Sequence, residues 1–368
     1  MYTNHTPTKF KSTTPKKAKI PPTLKQKGSV YFKHHKFSYR LPIILTMFSL
    51  ILLILVIPSL IVIPFGKDTS MTRQAEEGQA EVVGDSEAIS VAVMRTKADV
   101  VEDVPLEEYI VGVVAAEMSA EFEMEALKAQ ALAARTYTVS HLMGEDKDDS
   151  YDITDTIQHQ VYKNDTELQK QWGSAYEDNI NKIRSAVKTT KGEILTYNDT
   201  PIMPAFFSMS NGYTENSEDY WENELPYLRS VESSWEIDNP KFISQETFSV
   251  DELSELLEMD LANASTHDIV ISRKPSERVD QLTLGGSTFT GREIRDKLGL
   301  RSSDFSIKQK DNFFIFTTKG YGHGVGMSQF GADAMAKEGK NYEEIVKYYY
   351  QDIEISDLNE TVPTLASK

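Results

Sequence analysis

Residues 105–137 read PLEEYIVGVVAAEMSAEFEMEALKAQALAARTY. Two helices separated by a short polar break account for this stretch. The first, over 104–118, tolerates Pro105 in its opening turn and places Glu107 and Glu108 near the positive end of the helix. The second, over 124–142, is dense in alanine at 126, 129, 131, 133 and 134, which favours helix and lets a neighbouring element come close. Positions 110, 113, 114 and 117 share one helical face, so Glu117 continues the apolar stripe of Ile110, Val113 and Val114. Apolar surroundings disfavour the charged form of a carboxyl and raise its pKa, which is how a general acid stays protonated near neutral pH. The competing reading is a helix-end glutamate paired to a nearby Lys or Arg, and spacing alone leaves both open.

Outward from this pair, strands and helices mix without a regular βαβ alternation. Strands are expected at 88–96, 193–197, 202–209, 267–273, 279–284, 305–309 and 313–320. Helices are expected near 175–190, from SVDELSELLEMD (249–260), at GREIRDKLGL (291–300), and over 328–338 and 342–350. The class is α+β, mixed helices and mainly antiparallel strands around one substrate cleft.

Charge is divided unevenly along the 368 residues. Residues 1–40 carry ten Lys/Arg and no acid, and 41–65 carry no charge at all. With the whole chain at −17, the part from Gly66 onward therefore carries −27. So acidic a part argues against a nucleic-acid ligand, because phosphate contacts need Lys and Arg. The uncharged Ile- and Leu-rich run at 41–65 is long enough to span a bilayer and lacks the small-x-small exit of a cleaved signal. Its basic flank is expected in the cytoplasm, which puts the acidic part outside. The expected order is a basic cytoplasmic tail (1–40), an anchor (41–65), a polar linker (66–86), an extracytoplasmic domain (87–352) and a flexible C-terminal tail (353–368). With no cysteine in the chain, disulfides, thiolate metal sites and a Cys nucleophile are excluded.

Other constellations invite chemistry. Lys128 and Arg135, seven apart, and Gln130 and Tyr137, another such pair, form helical rows that suit a polar substrate or a solvated face. GYGHGVGMSQFGA (320–332) has glycine at every second position from 320 to 326, which lets backbone approach a ligand, with His323 at its centre. It matches neither a dinucleotide fingerprint nor a P-loop. FFSMSNGYTENSEDYW (206–221) brings Ser208, Ser210 and Trp221 to a loop mouth. No His spacing reads as a metal site, and no G-x-S-x-G elbow is present.

The run at 105–137, FFSMSNGYTENSEDYW, PYLRSVESSWE (226–236), REIRDKLGLRS (292–302) and GYGHGVGMSQFGA, in this order, resemble the stage II sporulation protein D family over roughly residues 88–352. The resemblance implies a membrane-anchored lytic transglycosylase. Such an enzyme cleaves the MurNAc-GlcNAc bond of peptide-stripped peptidoglycan glycan strands to 1,6-anhydro products during sporulation engulfment, alongside the sporulation amidase P and membrane protein M. It puts the domain outside the septal or engulfing membrane of the mother cell. By the same resemblance the catalytic glutamate falls on Glu117 and an arginine of the cleft on Arg135. Motif membership adds Lys128, Gln130, Ser208, Ser210, Tyr227, Arg229, Tyr321, His323 and Gln329 as substrate contacts. Ser208, Ser210 and His323 are the groups assigned to support the transition state. Some relatives hold zinc with cysteines and histidines in the segment corresponding to YDITDTIQHQVYK (151–163). This chain has only His159 there, so no metal or other cofactor is expected, and Gln160 and Tyr162 are expected to hold the loop. SNG (210–212) also departs from the Ser-Gly-Gly frequent in the family. The alternative is a non-catalytic glycan-binding scaffold that enhances a partner amidase.

Overall fold

Burial of the alanine-rich helix organises the larger of two hydrophobic cores. The computed structural model describes residues 89–144, 150–261 and 269–366. The expected tail, anchor and linker therefore lie outside the described residues. Strand β1 (Ser90–Arg95) pairs antiparallel with β2 (Val100–Pro105). Pro105 ends that strand and serves as the N-cap of α1 (Leu106–Glu117). Helix α2 (Met124–Met143) follows, with Ala126, Ala129, Ala131, Ala133 and Ala134 all fully buried. Methyl-sized side chains let several helices approach α2 together, so it packs against α1 and against helices from later in the chain.

The segment after α2 returns beneath α1. Strand β3 (Ile153–Thr154) adds parallel to β1. Helix α3 (Asp165–Trp172) starts at a capping box between Asn164 and Glu167, and α4 (Tyr176–Thr189) packs on α1 and α2. Because α3 buries only Leu168, the sequence shows no apolar period there; its one local signal is the capping box. Strand β4 (Glu193–Tyr197) follows and belongs to a separate sheet. The strand expected over 202–209 shrinks to β5 (Phe206–Phe207), since Pro204 has no N–H to give a ladder.

A second, smaller core gathers Leu253, Leu282, Ile294, Phe305, Phe314 and Phe316. It is built from β6 (Ile243–Ser249), α5 (Val250–Leu257), β7 (Val270–Arg273), β8 (Val279–Leu284), β9 (Ser287–Thr290), α6 (Gly291–Leu298), β10 (Phe305–Lys310) and β11 (Phe313–Lys319). The strands form two antiparallel three-stranded sheets, β7-β8-β9 and β10-β11-β6. The chain then rejoins the first core. Strand β12 (Met327–Ser328) pairs parallel with β5, and α7 (Gln329–Lys337) and α8 (Tyr342–Tyr349) cover α2. The result is α+β, with several small and mostly antiparallel sheets. The segment expected to be flexible from 353 is structured as far as Ala366. Strand β13 (Glu354–Asp357) pairs antiparallel with β4, and Leu358 and Val362 are buried. Its partner is some 160 residues away, so no local pattern announces it.

Arg135 is the largest side chain buried without exposure. Its fork donates to both Glu107 oxygens, Nε to Oε1 at 3.0 Å and Nη2 to Oε2 at 2.7 Å. The remaining donors reach the carbonyls of Glu193 at 3.1 Å and Val187 at 3.3 Å. One guanidinium thereby ties α2 to the start of α1, the end of α4 and the start of β4. Removing one partner of a buried ion pair leaves the other uncompensated, so Arg135→Ala is expected to lose about 3–5 kcal/mol of stability in urea titration. Arg135→Lys, a point charge without the fork, is expected to recover only part of it. A loss below about 1 kcal/mol, the range of exposed pairs, would contradict this role.

Candidate active site

Glu117 is the last residue of α1. The helix axis ends there with its negative pole, and no basic residue occupies its last turn. Ile110, Val113 and Val114 are fully buried on the face that Glu117 continues, while Glu117 itself is half-buried. Its carboxylate's only hydrogen bond among the described residues comes from the Val161 backbone N–H, which donates to Oε1 at 3.0 Å. Burial pushes the Glu117 carboxyl above its ordinary value, and the Val161 N–H pulls it part of the way back. Among the described residues no Lys or Arg pairs with it, which disposes of the paired helix-end reading.

Val161 reaches Glu117 because residue 112 is glycine. A Cβ at Gly112 would lie 2.3 Å from the Tyr162 ring and 2.6 Å from the Lys163 carbonyl oxygen. Tyr162 stacks on Tyr109 at 5.2 Å between ring centroids, and Gln160 is buried against the second helix, accepting from the Thr138 hydroxyl at 3.1 Å. Arg95 clamps the same segment from outside. Its Nε donates to Asp155 at 3.0 Å, Nη1 to Glu102 at 3.0 Å and Nη2 to Glu167, with the guanidinium 5.0 Å from the Tyr162 ring centre. Burial raises the Tyr109 hydroxyl too, with Glu117 among the neighbouring charges.

The residues here do not fit a zinc. His141 and His159 lie 4.7 Å apart between ring centroids, but His141 Nε2 meets the Asp152 carbonyl and His159 Nδ1 the Thr154 hydroxyl. Among the described residues no third ligand completes a tetrahedral set.

A cavity of about 480 Å³ opens at Glu117. Its walls include Ser119 and Glu121 on one side and Gln171, Trp172 and Asn179 on the other. That volume lies within the range of small-molecule sites. Sequence reasoning passed over Trp172 and Asn179 because both belong to polar helices with no motif of their own.

Most other candidates are not brought to this cavity. Arg135 is enclosed as described, so it holds the helix that carries Glu117 and has no surface for a ligand. Gln130 and Gln329 are buried and bond each other, Gln329 Nε2 donating to Gln130 Oε1 at 3.4 Å. Lys128 pairs with Glu125 at 2.6 Å and lies over the Tyr342 ring. Ser210, fully buried, donates to the Tyr213 carbonyl at 3.1 Å and closes a turn. Buried Tyr227 accepts from Met203 N–H at 3.1 Å, and Arg229 forks onto Glu218. Half-buried Ser208 receives the Phe330 N–H on its carbonyl at 3.1 Å.

Tyr321 and His323 belong to a second cluster. His323 is boxed by Phe207, Tyr220 and Trp221 at centroid distances of 5.7, 5.5 and 5.5 Å. Burial, with the Arg295, Arg278 and Arg292 charges, pushes its pKa down to about 4, so it is neutral at pH 7. The loop carrying it is stitched to residues 206–215 by bridges Met209 to Tyr321 and Glu215 to Val325. Gly326, at φ +77°, is needed there: a Cβ would lie 2.0 Å from the Ala205 carbonyl oxygen.

Comparison with known proteins identifies relatives of the chain. The family described as Stage II sporulation protein matches residues 94–197, which span Glu117, Arg135 and the 153–163 segment. The chain is 44% identical over 331 residues to stage II sporulation protein D of Bacillus amyloliquefaciens, covering 86% of this chain and 96% of that protein. Against stage II sporulation protein D of Bacillus subtilis it is 45% identical over 328 residues, covering 85% and 95%. A more distant similarity, 30% over 294 residues, joins it to the amidase enhancer of Bacillus subtilis, covering 65% of this chain and 39% of that protein. This is a sporulation protein. The chain belongs to the stage II sporulation protein D family.

A carboxyl whose folded value lies above its ordinary 4.5 binds its proton more tightly in the folded chain than in the unfolded one. Its stabilising contribution is complete below about pH 4.5 and is lost as pH rises through the folded value. Glu117→Gln keeps an acceptor for Val161 and removes that loss. The variant is expected to be more stable than the parent at pH 7, with the gap closing toward pH 4 in urea titrations. A gap of equal size at both pH values would assign it to some other cause.

Proposed function

We propose that the chain is a peptidoglycan lytic transglycosylase, cleaving the MurNAc-GlcNAc bond of peptide-stripped glycan strands, with Glu117 as acid and then base. The observation that carries this reading is a half-buried carboxyl with no basic partner among the described residues, raised above its ordinary pKa by burial, on the wall of a cavity of about 480 Å³. In the first step Glu117 gives its proton to the glycosidic oxygen as the bond from that oxygen to muramic C1 breaks. In the second, the C6 hydroxyl of the same muramic unit bonds to C1 and returns its proton to Glu117. A 1,6-anhydro end results, no water is consumed, and Glu117 finishes as it began. Positive charge developing at C1 between the two steps faces the negative end of α1. Trp172 supplies a flat face for a pyranose ring, and the amides of Gln171 and Asn179 suit N-acetyl groups.

Two observations favour other readings. Glu121 shares the cavity with Glu117, so a second carboxylate is at hand to activate water for ordinary hydrolysis. The similarity to an amidase enhancer favours a glycan-binding scaffold that stimulates a partner amidase. By sequence and family resemblance, residues 41–65 anchor the protein with its N-terminus in the cytoplasm and the folded part outside the engulfing membrane. The same resemblance supplies the sporulation amidase P and membrane protein M as partners.

Mass spectrometry of products from the full chain and peptide-free strands separates these readings. Anhydromuramyl ends are expected from the wild type, with turnover about 10²–10⁴-fold lower in Glu117→Gln. Reducing ends that depend on Glu121 would replace transglycosylation by hydrolysis, and intact strands that remain bound would favour the scaffold. Trp172→Ala is expected to raise KM about tenfold with kcat less affected. A fall in kcat at constant KM would remove Trp172 from ground-state binding.

A further inference from the structure

The cluster around His323 lies outside the walls of the Glu117 cavity and collects arginines in a part of the chain that is otherwise strongly acidic. Its base is α6, which starts at the Thr290 capping box and stops at Gly299 in left-handed conformation. Arg292 and Arg295, three apart on this helix, both meet Tyr220. The Arg292 guanidinium lies 4.5 Å from the ring centre, and Arg295 donates to the hydroxyl at 3.1 Å. Just past the helix stop, Arg301 lies 5.5 Å from the Tyr321 ring and receives the Gly322 N–H on its carbonyl.

Two of the local arginines are already answered by acids: Arg278 by Glu215 at 3.4 Å, and Arg292 by Asp296 at 3.8 Å. Arg295 and Arg301 have no carboxylate partner among the described residues, and Arg295 Nε is buried without a hydrogen-bond partner. The rings beside them stay open, Trp221 at 37% exposure and Tyr321 at 49%. Open aromatic faces suit the C–H faces of a sugar ring, and an arginine fork suits a carboxylate.

We propose that Tyr220, Trp221 and Tyr321 with Arg295 and Arg301 form a second glycan-binding site that takes a sugar bearing a free carboxylate. The proposal rests on the reading of Glu117 as a glycan-cleaving acid. On a peptide-free strand the lactyl group of each muramic unit ends in such a carboxylate, whereas a stem peptide converts it to an amide. The site thereby distinguishes stripped from unstripped strands without touching the bond that breaks. Packed contacts join it to the catalytic end. Phe207 meets His323, Ser208 accepts from Phe330, and Phe330 meets the edge of Phe122 at 4.9 Å, five residues beyond Glu117.

Binding is measured on the full chain carrying Glu117→Gln, so that strands stay intact. The probes are peptide-free strands, the same strands with lactyl carboxylates converted to methylamides, and chitohexaose, which has no carboxylate. The free-carboxylate strands are expected to bind about tenfold more tightly than the amidated ones. Arg295→Gln, or Arg301→Gln at an exposed position where folding is safe, is expected to cut that ratio to about twofold and leave chitohexaose binding unchanged. Equal binding of the two strand forms, a ratio that survives both replacements, or an equal fall in chitohexaose binding overturns the proposal. Cleavage by the wild type is scored separately. If the wild type cuts nothing while the carboxylate ratio and its arginine dependence hold, the transglycosylase reading falls and the binding site stands.

Discussion

The ion pair between Arg135 and Glu107 is the constraint on which the helical half depends. A guanidinium stripped of water is tolerated only where its donors are met, and here two carboxylate oxygens and two carbonyls meet them. Because those acceptors come from α1, α4 and β4, the pair sets where three elements stand around α2. Glu107 lies in the first turn of α1 and Glu117 at its end, ten residues or about 15 Å along the axis. The arginine therefore acts on the catalytic candidate through a rigid helix. An inward-facing Arg in an alanine helix is a positioning residue even where a motif associates it with a cleft.

At the far end of α1 the physics reverses. There burial is partial, no Lys or Arg among the described residues pairs with the Glu117 carboxyl, and one backbone N–H is its sole polar partner among them. Removal of water and the negative helix pole both favour the neutral carboxyl, while the N–H favours the anion. That balance requires Val161 to lie close over α1, which follows from Gly112 beneath Tyr162 and from Arg95 holding Asp155, Glu102 and Glu167. The segment 153–163 is pinned by an arginine, a tyrosine stack and a buried glutamine.

Buried acids do comparable work where the loop 320–326 rejoins the first core. Glu215 meets Arg278 and the Ser276 hydroxyl, and Glu236 accepts from the Ser328 and Ser233 hydroxyls and the Ser210 N–H. Ser328 is also the N-cap of α7, so Glu236 fixes the start of that helix. From α7, Asp333 accepts the Glu123 N–H at 2.7 Å and Phe330 meets Phe122, which braces the turn forming one wall of the Glu117 cavity.

What the sequence determined by itself was local. Apolar period and alanine density marked both central helices, amphipathic and β-branched runs marked many of the other elements, and the stripe ending at Glu117 singled out a carboxyl set against an apolar surface. Family motifs placed the chain, but they named Arg135, Gln130, Ser210 and Tyr227 without saying which way each side chain turns. Tertiary structure alone decided that. It enclosed those four, paired β13 with β4 across the chain, brought Trp172 and Asn179 to Glu117, and set arginines from α6 beside rings from the 220 and 320 loops. The reason is physical: periodicity reports which face of an element is buried, whereas the neighbours that fill or line that face come from segments distant in sequence, and no local preference encodes them.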